Sequence, residues 1–427
     1  MGIYDYEAAF GAADKTSAAM RQALSLWQRM YYGDAQDRED TCQRIAFTVV
    51  DKLVKAVFGE YQPTAADPVG RQLLGQLEAI RLPAVCSALV EGECYIKPCP
   101  AEGGFRFVTV PRHNVLIFGR DGRGQPVDVG LVERSVRGNQ YETLLERRQV
   151  DERGYLTVTY RLYRSGNGQQ LGQQVSLQSS PQYRALQEQY RFEKPVGLGL
   201  VRIKTPALNC VDGSWDGVSI FAPAAGLIQN IDRNEQQMNG EFERAQSRVF
   251  ASRDLLTQEG LTDDLFVGLD DDPDSVGITV YSPPLREGAY LARKLEYLRN
   301  VESILGLRRG MLADANIEER TATEIASSVA DYNLTVLQLQ NMWQQAVMDT
   351  VALCAVLGRL YGLPVTDGLP VIDWGNGVLY DESARWQEYL QLVDKGLLKP
   401  EIALGWRFGM DADTDAQQAA IRKKYMP

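Results

Sequence analysis

A chain of 427 residues is long enough for two or more domains with a sizeable core. With 44% apolar and 24% charged residues it has a globular composition, which excludes disorder as its dominant state. A net charge of −11 excludes broad phosphate neutralisation by a basic surface, but it leaves open DNA as a passing cargo.

No apolar run in the sequence approaches a membrane span. The longest obvious one, VALCAVL at 351–357, sits inside a helical pattern. The N-terminus lacks the basic and apolar regions of a secretory signal. The six cysteines (Cys42, Cys86, Cys94, Cys99, Cys210 and Cys354) are scattered without a CxxC pair, which points to reduced thiols and not to a disulfide framework.

The first stretch reads as helices. In LSLWQRMYYG the residues Leu24, Leu26, Trp27, Met30 and Tyr31 form one stripe before Gly33. A second helix is expected over IAFTVVDKLVKAVFG, closed by Gly59. A third spans 73–90, with a kink expected at Pro83. From Glu93 to about Val201 the period changes to two. CYIKP and FRFVTV read as strands, and in LTVTYRLY the residues Leu156, Val158, Tyr160 and Leu162 alternate with polar ones. This predicts an antiparallel, meander-like region within an α+β fold.

After NCVDGSWDG the helical period returns over 223–248. Its stripe is Leu227, Ile231, Met238, Phe242, Ala245 and Val249, and its other faces carry Asp232, Arg233, Glu235, Glu241, Glu243 and Arg244. A short acidic segment, closed by Pro283 and Pro284, precedes a second helix over 289–304. A polar, glycine-bearing loop follows at 306–320. The longest helix then opens at Thr321 and Glu324, a capping-box pair, and runs to Gly358 with Trp343, Val347, Val351, Cys354 and Leu357 on its buried stripe. Shorter helices end the chain, one between Asp381 and Gly396 and another over TDAQQAAIRKKY.

The search for chemistry is mostly negative. His113 is the single histidine, beside Pro111 and without a nucleophile signature, so it reads as structural. The dipeptide Gly-Lys is absent, which excludes the usual P-loop. The glycines of VGLGLV read as a loop. Asp411, Asp413 and Asp415 begin like a calcium loop, but Ala416 and Arg422 occupy its glycine and glutamate positions, so a helix-capping turn is the better reading. The run Asp270, Asp271, Asp272 and Asp274 reads as a solvated loop. The sequence therefore calls for no cofactor and no metal.

The order of elements resembles that of the portal proteins of tailed phages. The passage IKTPALNCVDGSWDGVSIFAPAAGLIQNIDR is similar to that family's entry into its first long helix, at Lys204, Pro206, Asn209, Gly217, Ser219 and Asp232. RTATEIASS is similar to the family's start of its longest helix, at Thr321, Thr323 and Glu324. The resemblance implies a mixed α/β wing at 1–222, stem helices at 223–248 and 289–304, and a small α/β clip at 249–288. It implies further a tunnel loop at 305–320, a long helix and connection at 321–380, and a short helical crown at 381–427. It implies a non-enzymatic, ring-forming subunit, typically one of twelve. The ring sits at one capsid vertex, in the virion or, during assembly, in the host cytoplasm. Its partners would be DNA as cargo, the terminase large subunit, a head-to-tail adaptor and the major capsid or scaffold protein.

An acidic subunit suits a channel in which DNA must slide, because a wall rich in Lys and Arg would displace counterions and hold the duplex. Two readings stay open for Arg308 and Arg309: weak phosphate contacts from a mobile loop, or a solvated turn. Asp232, Glu235, Glu241 and Glu243 are expected either to line the lumen or to pair between subunits with Arg233, Arg244 or Arg248. Rival readings are another virion connector protein and a carboxylate-based, metal-dependent nuclease.

Overall fold

A computed structural model describes residues 6–33, 42–244, 248–252, 266–269, 279–281, 285–313, 322–366, 368–375 and 382–426. The fold is α+β. The chain opens with a helical layer of α1 (Tyr6–Phe10), α2 (Ala18–Tyr32), α3 (Ile45–Phe58) and α4 (Pro68–Glu91), with the short strand β1 (Gln62–Thr64) before α4. Ser17 caps α2 by accepting Met20 N–H at 3.1 Å. α4 begins at Pro68, earlier than the periodicity placed it, because Asp67 accepts Gly70 N–H at 2.8 Å and Pro68 fills the first helical position. Pro83 lies within the helix and does not end it.

α4 also corrects the expectation about apolar runs. It holds a stretch apolar and long enough to cross a membrane. Here Leu73, Leu74, Leu77, Ala84, Val85 and Leu89 are buried in the core, together with residues of α2, α3 and the strands that follow.

Two antiparallel sheets come next. β2 (Glu93–Ala101), β3 (Gly104–Pro111) and β10 (Val201–Lys204) form a three-stranded sheet in the order β10-β2-β3. The larger sheet runs β4 (Val115–Arg120), β5 (Pro126–Arg137), β6 (Gln140–Val150), β7 (Tyr155–Ser165) and β8 (Gln173–Val175), with β9 (Gln189–Pro195) paired to the start of β7. In β7, Leu156, Val158 and Leu162 are buried and Tyr160 is half-buried, as alternation requires. VGLGLV is the expected loop before β10, and Arg148 holds it by donating to Leu198 O at 2.7 Å and to Gly199 O at 3.2 Å.

One buried charge cluster ties the sheets to the segment that leads out of them. Glu93 on β2 is fully buried. It pairs with Arg202 of β10, accepts Tyr95 Oη–H at 2.9 Å and accepts Gly217 N–H at 2.5 Å. Arg112 donates to Val115 O (2.6 Å), Thr16 Oγ1 (2.8 Å) and Asp216 Oδ1 (3.3 Å), and Arg120 donates to that same Asp216 oxygen at 2.6 Å. Burial alone would raise the Glu93 carboxyl, but Arg202, Arg112 and the Gly217 N–H outweigh it and hold the group at about 2. Asn209 organises the same segment. Its Oδ1 accepts Val211 and Asp212 N–H, and its Nδ2 donates to Asp212 Oδ1 at 2.9 Å.

After a single helical turn at Ala222–Ala224 the chain enters α5 (Ala225–Arg244). Three short strands follow: β11 (Arg248–Ser252), parallel to β12 (Phe266–Leu269) and antiparallel to β13 (Thr279–Tyr281). Arg248 therefore begins a strand, and of the helix expected over 223–248 the described part is Ala225–Arg244, with 245–247 outside the described residues. The acidic run Asp270, Asp271, Asp272 and Asp274 lies outside the described residues. The chain returns through α6 (Glu287–Ile304), which packs on α5.

α7 (Ala322–Tyr361) has 40 residues and is about 60 Å long at 1.5 Å per residue. Thr321 and the Glu324 side chain lie outside the described residues. All five expected stripe residues, Trp343, Val347, Val351, Cys354 and Leu357, are buried. Trp343 Nε1 donates to Tyr61 Oη at 3.0 Å, and the same tyrosine ring meets Phe58 edge-on and Trp374 at a tilt. β14 (Val371–Asp373) pairs with β1, so the chain after α7 is tied back to the first helical layer. The tail is α8 (Glu382–Asp394), α9 (Pro400–Phe408) and α10 (Asp415–Tyr425). Thr414 and Gln417 form a capping box on α10, which places Asp411, Asp413 and Asp415 in the expected capping turn.

The exit segment crosses α4 at two glycines. A Cβ on Gly217 would lie 2.2 Å from Gly92 O, and one on Gly92 would lie 2.3 Å from Gly217 C. Gly217→Ala must push these backbones apart beside the Glu93 cluster. It should cost about 2–3 kcal/mol, the range of an overpacked core position, in a urea titration of the full chain. Wild-type stability in that variant would contradict the crossing.

Candidate functional site

The residues singled out from the sequence lie on α5 and on the turn after α6. α5 is anchored only near its start: Ile228, Ile231 and Asn234 are buried, while Met238 is half-buried and Phe242 is 42% exposed. On α6 the pattern is mirrored, with Val301 and Glu302 buried and Leu291 49% exposed. Among the described residues, cover over the apolar stripe of α5 thus runs out towards Arg244. Ala245 and the Val249 side chain lie outside the described residues.

Three of the four acidic residues of α5 find partners within the chain. Glu241 accepts from Arg286 at three points: the backbone N–H (3.1 Å), Nε (3.1 Å) and Nη2 (2.8 Å). Glu235 pairs with Lys294 at 2.9 Å, and Lys294 also donates to Gln43 Oε1 at 3.1 Å. Asp232 Oδ1 accepts Gln43 N–H at 2.7 Å. The expectation for these three carboxylates was either lumen lining or inter-subunit pairing with Arg233, Arg244 or Arg248; within one chain their partners are Gln43, Lys294 and Arg286. The antiparallel register of α5 on α6 brings Lys294 and Arg286 to them first.

Three charges on α5 remain open. Arg233 makes only a long hydrogen bond, to Asn230 Oδ1 at 3.4 Å, and Arg233, Glu243 and Arg244 are exposed without an ion pair among the described residues. Asn234, inside the helix pair, donates from Nδ2 to Tyr290 O at 3.1 Å and so fixes the depth at which α6 meets α5.

Residues 305–313 carry Arg308 and Arg309, for which a solvated turn was one of the two open readings. They form a compact turn with Leu305, Leu307 and Ala313 buried, and Arg308, Arg309 and Gly310 exposed at its apex. Residues 314–320 lie outside the described residues. Sequence reading found both arginines and missed Glu302, whose carboxylate receives three N–H groups of this turn. One buried glutamate among the charged residues of α6 has no periodicity of its own to mark it.

His113 pairs with the buried Glu91. Its Nδ1 lies 2.7 Å from Glu91 Oε1 and its backbone N–H donates to Glu91 Oε2 at 2.9 Å, while Gln28 Nε2 shares Oε1 at 3.0 Å. The imidazole faces an open cleft of about 530 Å³ lined also by Ser25, Arg29 and Tyr32. Among the described residues no group of three or more His, Cys, Asp or Glu side chains is arranged to hold a metal ion.

The Arg286 hydrogen bonds, with that from the Tyr290 hydroxyl, hold the Glu241 carboxyl at about 2. A depressed carboxylate stabilises the fold above its ordinary value of 4.5, and that contribution is lost as pH falls through about 2. Glu241→Gln should loosen the outer turns of α5 and α6 at neutral pH. It should also remove the extra loosening that wild type shows on acidification through that window, read by amide hydrogen exchange at matched pH. Identical acid responses in the two proteins would contradict this account of the pair.

No protein-family model and no curated protein matches the chain.

Proposed function

We propose that the chain is a subunit of a phage portal: a ring at one capsid vertex whose central hole passes double-stranded DNA during packaging and ejection. The observation that carries this reading is the excursion of α5, a three-stranded sheet and α6 out of a helix-and-sheet core, followed by a helix of 40 residues. In the portal reading α5 and α6 are the stem, the three strands the clip, residues 305–313 the start of the tunnel loop, and α8–α10 the crown.

Physical chemistry supports the assignment in two ways. A helical hairpin whose outer half exposes Phe242 and Leu291 has apolar surface that a neighbouring copy can cover, and closed cyclic symmetry leaves no end uncovered. The net charge of −11 suits a wall on which a polyanion slides, since only a few exposed cations meet the phosphates. Arg308 and Arg309 at the apex of their turn, and Arg233 and Arg244 on the stem, are among those cations. The clip would dock the terminase large subunit and later a head-to-tail adaptor, and the wing would face the capsid or scaffold protein.

Capsids assembled without this chain should contain no DNA, and supplying it should restore full-length packaging. Heads that fill to wild-type length in its absence would contradict the proposal. Arg308→Ala with Arg309→Ala should shorten or destabilise the packaged DNA while leaving head assembly intact. Unchanged length and retention would remove both arginines from the DNA path.

A further inference from the structure

The turn after α6 is built around one carboxylate. Glu302 is 0% exposed, and among the described residues no lysine or arginine pairs with it. Its oxygens accept main-chain N–H groups instead. Gly310 N lies 3.1 Å from each oxygen, Leu312 N lies 2.6 Å from Oε1 and Ala313 N lies 3.1 Å from it. Converging N–H dipoles of this kind form a nest for negative charge, and here the anion is the chain's own side chain. The backbone closes around it: Leu307 N–H donates to Glu302 O at 2.8 Å and Met311 N–H donates to Arg308 O at 3.1 Å.

The turn is seated as well as closed. Leu305, Leu307 and Ala313 point into the core. Gly306, at φ +59°, brings the chain so near α7 that a Cβ there would lie 2.8 Å from Thr335 Oγ1. What remains outside is the apex, Arg308 to Gly310.

We infer that Glu302 is a positioning residue that holds residues 305–313 as a rigid bracket and presents Arg308 and Arg309 at a fixed place. The inference rests on the portal reading and deepens it: phosphate contacts come from a fixed collar of paired arginines. A pre-ordered side-chain pair loses less freedom on meeting its target, so contacts can be weak and frequent without the ordering cost of a mobile strap.

The test uses the full chain with Glu302→Gln and Glu302→Ala. Gln keeps one oxygen within reach of all three donors but replaces the second, which only Gly310 uses, with an amide donor, so it should weaken Gly310 first. Ala should release all three donors. Amide exchange at Gly310 should rise about tenfold in the Gln variant and about a hundredfold at all three positions in the Ala variant, as expected for lost charge-assisted hydrogen bonds. The amides of α6 before Val301 should keep wild-type protection. Wild-type protection of Gly310, Leu312 and Ala313 in the Ala variant overturns the anchor.

The second arm measures retention of packaged DNA. Glu302→Ala should match the Arg308→Ala/Arg309→Ala double variant, and combining all three changes should cause no further loss. Additive loss would show that Glu302 acts elsewhere and overturns the positioning role. If the arginine variant retains DNA normally while the amide signature appears, the failure belongs to the DNA-channel reading, and the role in DNA contact falls with it.

Discussion

The chain leaves its core at Ile231 and re-enters it at Val301, and that double anchorage constrains everything between. Both residues are fully buried in the same cluster, so α5 must go out and α6 must come back along it. Inside this frame the helices hold each other through Asn234 with Tyr290, Glu235 with Lys294 and Glu241 with Arg286, three contacts that all run between helices. Among the described residues the outer half has no other cover, and Phe242 and Leu291 stay exposed there. Two helices of this length are marginal alone in water, where most helical stability comes from tertiary packing. The exposed outer faces are the physical reason to look for neighbouring copies.

Buried carboxylates mark both ends of this excursion. At its exit Glu93 sits among Arg202, Arg112 and the Gly217 N–H, which fixes how the segment from Asn209 to Phe221 reaches α5. At its return Glu302 gathers the N–H groups of Gly310, Leu312 and Ala313. Removing a partner from either cluster leaves a buried charge or donor unsatisfied, which costs more than the net worth of the contact. Orientation of the excursion relative to the sheets is therefore set by polar groups, while its attachment is set by apolar ones.

Much of this was legible in the sequence, and what was not has a common cause. The 3.6-residue period located α2, α3, α6 and α7, and every residue expected on the buried stripe of α7 is buried. Alternation located β7, and the glycines of VGLGLV fall in the expected loop. The start of α4 moved because Asp67 and Pro68 provide a stronger start signal than its first apolar residues. α5 does not reach Arg248, although its periodicity continues into Arg248 and Val249, because these pair in a sheet with residues distant in sequence. The same limit governs the site. Asp232, Glu235 and Glu241 were visible as charges, but their partners Gln43, Lys294 and Arg286 depend on the helix register, which no local pattern encodes. Glu302 went unseen because its partners are backbone N–H groups, which carry no residue identity.

The central claim is that many copies of this chain close into an annulus with the α5–α6 hairpins around its axis. Electron microscopy of the purified full-length protein tests it most directly. Ring-shaped particles with a central hole wide enough for a duplex, and with helical density lining it, are the predicted result. Particles the size of one 47.6 kDa chain at every concentration, with α5 and α6 packed inside a single globule, would contradict it.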